Sequence, residues 1–182
     1  MFVLWVSLGL ALTSLLQVEA MDVPVVKDFE TDKFLGRWYS VVVASNCTQF
    51  MKMKSMLKMP VNVITAHENG DLDVRMGFPG KDGCMKKDMY YQMISPGRYT
   101  QSTATQTEVR IVETDYKHTA IEYSRKVSEL EVVSVMVKLY AREADVHPGV
   151  FTLFKMLMEG LGLTEENMVV LPHDVECVPG TF

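Results

Sequence analysis

Phe34-Leu35-Gly36-Arg37-Trp38-Tyr39-Ser40 runs straight into Val41-Val42-Val43-Ala44, an apolar run of strand character. A glycine ahead of a tryptophan at the start of a strand allows a sharp backbone bend. The indole can then plug the end of a sheet that closes on itself. The weight of this reading depends on what the rest of the chain supplies.

Downstream, Ser45 to Pro60 interrupts the β pattern. It holds Asn46-Cys47-Thr48, an N-glycosylation sequon expected on a surface loop with Asn46 as acceptor. Met51, Met53, Met56 and Met59 then alternate with Lys52, Lys54 and Lys58, which predicts a short amphipathic helix at the domain edge. Such a helix can double as a flexible lid, because methionine repacks readily around different guests. From Val61 onward short strands succeed one another across turn residues. Val61 to His67 and Leu72 to Phe78 flank Asn69-Gly70, read as a two-residue hairpin. Cys84 to Ile94, Arg98 to Thr103, Glu108 to Glu113, Thr119 to Ser124 and Glu131 to Tyr140 continue the series. After Pro148-Gly149 the period changes: Val150, Phe151, Phe154, Leu157, Met158 and Leu161 recur at helical spacing. About eight strands followed by one amphipathic helix predict an all-β, eight-stranded antiparallel up-and-down barrel with a C-terminal α-helix packed outside.

Upstream, residues 1–20 are apolar to Gln17 and end in Val18-Glu19-Ala20, the pattern of a secretory signal peptide cleaved after Ala20. A single domain over 21–182 and a secreted, extracellular protein without integral membrane association follow as expectations. The net charge is −5 and no long basic block occurs, so nucleic acid is not an expected partner. The four histidines lack metal-ligand spacing, and neither a metal nor a cofactor is expected. Three cysteines in a secreted chain predict one disulfide and one remaining thiol. Cys84 and Cys177 flank most of the domain and are the favoured pair. A monomer is expected, with Cys47 left as a surface thiol that is free, capped or paired with another chain.

Three separated motifs in residues 28–177 together resemble the lipocalins: Gly36-x-Trp38 on the first strand, Thr114-Asp115-Tyr116 in the turn between the sixth and seventh strands, and Arg142 after Leu139-Tyr140. The resemblance implies that Arg142 packs over Trp38 and that Gly36, Trp38, Thr114, Asp115, Tyr116 and Arg142 close one end of the barrel. Within the family the sequence is similar to the lipocalin-type prostaglandin D synthases, through Asp32 to Trp38, Ala44-Ser45-Asn46 and Val112 to Tyr116. Those enzymes isomerise a prostaglandin endoperoxide with glutathione through a cysteine thiolate. Here the position matching that cysteine is Pro60, which has no nucleophile. Of the supporting hydroxyl positions Ser40 is kept, whereas Asn62 and Met76 carry no hydroxyl.

Strand alternation, with the resemblance, places Ser40, Val42, Ile64, Val74, Met76, Met89, Tyr91, Met93, Met136, Lys138 and Tyr140 on the inner face as a ligand-binding lining. A lysine in such a place needs an anionic partner, and a ligand carboxylate would serve Lys138. The expected function is binding and transport of a small hydrophobic molecule of the retinoid, fatty acid, bile pigment or prostanoid class. Two alternatives remain: a glutathione-dependent prostaglandin-H2 D-isomerase that uses Cys47, and a protein-interaction role through a Cys47 disulfide.

Overall fold

In the computed structural model, which describes residues 22–102, 105–130, 132–144 and 146–182, the strands form one sheet that closes on itself. A short helix α1 (Thr31–Phe34) leads into β1 (Gly36–Ser45), followed by α2 (Thr48–Met53) and a single 3-10 turn over Lys54–Met56. Seven strands then follow in a meander: β2 (Val61–Ala66), β3 (Leu72–Gly80), β4 (Gly83–Ser95), β5 (Arg98–Ser102), β6 (Gln106–Thr114), β7 (Thr119–Val127) and β8 (Val133–Ala141). Helix α3 (Pro148–Gly160) and a three-residue strand β9 (Met168–Val170) complete the chain. Each of β2 to β8 pairs antiparallel with its neighbours in sequence, and β1 closes the ring by pairing with both β2 and β8. The eight-stranded barrel with an outer C-terminal helix is therefore present, and β9 adds an outer pairing along β1 at Val42 to Ala44. The predicted leader lies outside the described residues.

The Asn69-Gly70 hairpin differs from expectation in length. His67 N–H bonds Asp71 O at 2.9 Å and Gly70 N–H bonds His67 O at 3.0 Å, so three residues, not two, span the turn. Gly70 holds φ +86°, the left-handed conformation that this longer turn requires.

A meander puts alternate connections at opposite ends. The β1–β2, β3–β4, β5–β6 and β7–β8 connections share one end. The α1 segment and the β2–β3, β4–β5 and β6–β7 turns share the other. Two apolar cores result. The inner one joins Phe34, Trp38, Ile64, Leu72, Val74, Tyr91, Tyr99, Val109, Ile111 and Tyr140 within the lower barrel. The outer one seats Phe154 and Met158 of α3 against Val137, Leu139, Ala141, Ile121 and Tyr123. Helix α3 starts where it does because Pro148 fits the first turn and His147 Nδ1 accepts the Gly149 N–H at 3.2 Å.

The closed end is built as the three motifs imply. Trp38 is fully buried, and its indole N–H donates to Phe34 O at 2.7 Å. The Arg142 guanidinium carbon sits 3.6 Å from the indole ring centre. Its nitrogens donate to Tyr116 O, Arg37 O and Lys33 O at 3.1, 2.9 and 3.0 Å. One planar fork thus ties the β6–β7 turn, β1 and α1 together. The cation–π contact alone contributes about 1–2 kcal/mol when desolvated. Gly36 has φ +96°, and a Cβ there would meet Arg142 Nη1 at 3.4 Å. Thr114 Oγ1 donates to Thr119 O and accepts the Tyr116 N–H, each at 2.9 Å. Asp115 Oδ1 accepts the backbone N–H groups of Lys117, His118 and Thr119. These contacts satisfy a tight turn in which Tyr116 holds φ +63°.

Candidate functional site at the barrel mouth

The open end leads into a cavity of about 460 Å³. Its walls include Ser45, Cys47 and Phe50 from β1 and α2, Lys87 and Tyr91 from β4, Gln101 from β5, Thr107 and Val109 from β6, Glu122 and Ser124 from β7, and Ser134, Met136 and Lys138 from β8. Register explains the set, because cross-strand partners share a face. Tyr99 pairs with Val109, Val109 with Ser124, Glu122 with Lys138 and Ser124 with Met136, all pointing inward.

A polar triad sits in the cavity wall above the packed barrel floor. Lys138 Nζ donates to Glu122 Oε1 at 2.8 Å, and Tyr140 OH donates to Glu122 Oε2 at 3.0 Å. Lys138 Nζ also lies 3.4 Å from Tyr140 OH. The Glu122 side chain is 4% exposed and that of Lys138 18%, the latter facing the cavity. Burial works against the lysine's charge, but the Glu122 carboxylate, with Tyr140 and Tyr91 nearby, holds its pKa well above the usual lysine value. Burial, then Glu122, pushes the Tyr140 hydroxyl upward too. Both carboxylate oxygens of Glu122 are engaged by these two donors.

The expected lining is therefore only partly the actual one. Tyr91, Met136 and Lys138 line the cavity. Ser40, Ile64, Val74 and Tyr140 point inward but lie fully buried below it. Met89 and Met93 pack against the same inner core. Met76 is half-buried on the inner face, opposite Lys87. Val42 is a correction. The β1–β8 register slips between Ser40 and Val42, so Val42 pairs with Leu139 and joins the outer core. A bulge of one residue reverses every later side chain of the strand, which turns Ser45 inward in place of Ala44. Lys138 faces inward as parity implies, but its anionic partner is Glu122 rather than a ligand carboxylate. Cys47, expected as a surface thiol, is half-buried and lines the cavity at the head of α2. Reasoning from apolar letters missed Glu122, Gln101, Thr107 and Ser124. The signal that would have found Glu122 was parity along β7, where a carboxylate falls on the inner face beside the inward lysine of β8.

Pro60, at the position matching the cysteine of the prostaglandin D synthases, is buried, and its carbonyl accepts the Ser40 N–H at 3.1 Å. Asn62 Nδ2 donates to Ser40 Oγ at 2.9 Å and to Trp38 O at 3.2 Å, so the surviving serine is held in the floor. Asn46 is exposed at the rim, and its Oδ1 accepts the Val135 N–H at 2.9 Å. The Cys84–Cys177 disulfide is present, and Cys177 is fully buried. It straps the C-terminal segment along the outside of β3 and β4, where the Phe182 ring lies over Gly77. A second concavity of about 440 Å³ on that outer face is walled by charges that already pair, Arg75 with Asp88 and His67 with Asp73 nearby. The barrel mouth is the better candidate site.

The chain matches the "Lipocalin / cytosolic fatty-acid binding protein family" over residues 35–175. It is 40% identical to human "Lipocalin-15" over 175 residues, covering 94% of both chains. It is 34% identical to mouse "Prostaglandin-H2 D-isomerase" over 183 residues, covering 96% of both. Among solved structures it resembles the chain described as "The Siderocalin Ex-FABP functions through dual ligand specificities", with a TM-score of 0.70 and 28% identity over 80% of this chain and 94% of that one. With the family match covering residues 35–175 and a relative 40% identical over nearly the whole length, the chain belongs to the lipocalin family.

Proposed function

We propose that this protein is a secreted carrier that holds a small hydrophobic molecule in the barrel, with an uncharged polar end of that molecule against Lys138. The observation that carries this reading is the Glu122–Lys138–Tyr140 triad at the inner wall of the cavity. A volume of about 460 Å³ lies within the range of small-molecule pockets. An ammonium whose charge is already met by a carboxylate offers a guest an N–H donor, while Glu122 a few ångströms away opposes a second negative charge. A carbonyl or hydroxyl end group fits that environment better than a carboxylate. Fatty alcohols, acyl esters and retinol-like molecules therefore suit the site better than free acids. Exposed Asn46 at the rim suits a glycan acceptor, in keeping with secretion and with the disulfide.

The test is a fluorescence displacement titration with a long-chain alcohol and the matching acid. The wild type is expected to favour the alcohol. Glu122→Gln is expected to shift the ratio toward the acid by about tenfold, equivalent to about 1.4 kcal/mol. An unchanged ratio would reject the head-group assignment, and failure of both ligands to displace the probe would reject the carrier reading.

One observation favours a second reading, an isomerase: the Cys47 thiol lines the cavity. With Pro60 at the nucleophile position of the prostaglandin D synthases and Ser40 held by Asn62, the expected outcome is no prostaglandin D2 above background from the endoperoxide and glutathione. Product formation that disappears in Cys47→Ser would establish the enzyme instead.

A further inference from the structure

We propose that the barrel mouth docks on the headgroup face of an anionic phospholipid membrane. Three of the four connections at the open end present apolar side chains to solvent. Met53 and Met56 come from the β1–β2 connection, Met85 from the β3–β4 hairpin, and Leu130, Val132 and Val133 from the β7–β8 connection. Leu130 is 86% exposed and Met56 68%. An apolar collar of this kind marks an interaction surface.

Charge decides the partner. Residues 46–60 carry Lys52, Lys54 and Lys58 and no acid. The β3–β4 hairpin carries Lys81, Lys86 and Lys87 against Asp82 and Asp88, and Glu129 and Glu131 of the β7–β8 connection are matched by Arg125 and Lys126 at the end of β7. The open end is thus net positive on a chain whose total is −5, so the remainder of the protein is more strongly acidic than the total suggests. Lys58 pairs with Asp174 and Lys86 with Asp88, whereas exposed Lys52, Lys81 and Lys87 enter no ion pair among the described residues. A negative lipid surface would attract this end and repel the rest, which sets the orientation as well as the contact.

Composition favours a lipid surface over a protein one. The collar is methionine, leucine, valine and lysine. Protein interfaces are enriched in aromatic anchors and depleted in lysine. Lysine and leucine suit a bilayer boundary, where long stems lie along acyl chains and ammonium groups reach the phosphates. Among the described residues no helix is long and apolar enough to cross a membrane, so the contact is peripheral. Docked this way, the cavity opens onto the layer from which a hydrophobic guest would enter or leave.

The experiment is co-flotation of the purified protein, its N-terminus and intact mass established, with vesicles of phosphatidylcholine alone or mixed with phosphatidylserine. Binding is expected only with phosphatidylserine and should weaken as salt is raised. The double variant Lys52→Glu/Lys87→Glu should lower binding by about 25-fold or more, from roughly fivefold for each basic residue near the surface. Met56→Glu/Leu130→Glu should lower it comparably while leaving the melting temperature unchanged, since both side chains are exposed. No binding, equal binding to neutral vesicles, or full binding by both variants would overturn the proposal. So would loss of an extracellular protein partner in these variants when vesicles bind none of the proteins.

Discussion

Lys138→Met is expected to destabilise the protein by about 3 kcal/mol, and Glu122→Leu by at least as much, while the double variant Glu122→Leu/Lys138→Met regains most of the loss. The asymmetry follows from burial. Removing the lysine leaves a carboxylate, 4% exposed, in an apolar barrel with only the Tyr140 hydroxyl to answer it. Removing the carboxylate strands both the ammonium and that hydroxyl. Removing both charges leaves apolar side chains of similar volume and only the neutral Tyr140 hydroxyl without its partner, a smaller cost than a stranded charge. The lower end of the usual range for a broken buried pair applies, because 18% of the Lys138 side chain reaches the cavity. Chemical denaturation of the three variants checks it, and additive losses in the double variant would show that the two groups do not act as a pair.

The same triad sets an alkaline limit. The pKa of Lys138 is higher in the folded chain than its ordinary value of 10.5. Its stabilising contribution is therefore fully present below that value and is lost as pH rises through the higher folded pKa. Tyr140 and Tyr91, whose hydroxyls are also pushed upward, chiefly by burial, add to the loss in the same direction. The melting temperature should fall as pH rises past about 10.5, and the fall should be smaller in the double variant.

The other large effect is expected from the disulfide. Cys84 and Cys177 are 93 residues apart in sequence, so the bridge closes most of the barrel into one loop. On the chain-entropy model, losing it costs about 4–5 kcal/mol. Cys84→Ser/Cys177→Ser should lose that amount in urea, with most of the change in the midpoint. The bridge also holds the C-terminal segment against the barrel, where Tyr39 OH donates to Glu176 Oε1 at 2.5 Å and Phe182 covers Gly77. Limited proteolysis should therefore cut the double variant first beyond Leu171. A protein that resists both urea and protease as the wild type does would show that packing alone secures the tail.

The two legible features were the closed end and the barrel order, and each has a local cause. Gly36, Trp38 and Arg142 could be read together because their roles depend on residue type at a strand end, where a positive φ, a large ring and a planar cation are each hard to replace. Strand succession was legible from period and turn residues, although the Asn69-Gly70 turn proved one residue longer than its dipeptide suggested. The cavity was less legible. Alternation assigns a face only while the register holds, and one slip in β1 moved Val42 to the outer core and Ser45 to the mouth. Alternation also cannot say how deep an inward side chain lies. Ser40, Ile64, Val74 and Tyr140 were placed on the correct face but belong to the packed floor.

By itself the sequence determined the family, the barrel, its sealed end and the lack of a nucleophile at position 60, because each depends on residue identity or on short-range period. Only the tertiary structure decided what surrounds the guest. Whether Lys138 awaited a ligand carboxylate or already had a partner depended on which residue of β7 lies opposite it, and Glu122 is 16 residues away in sequence but 2.8 Å away in space. Register across strands is a long-range quantity, and the charge balance of the cavity is set there.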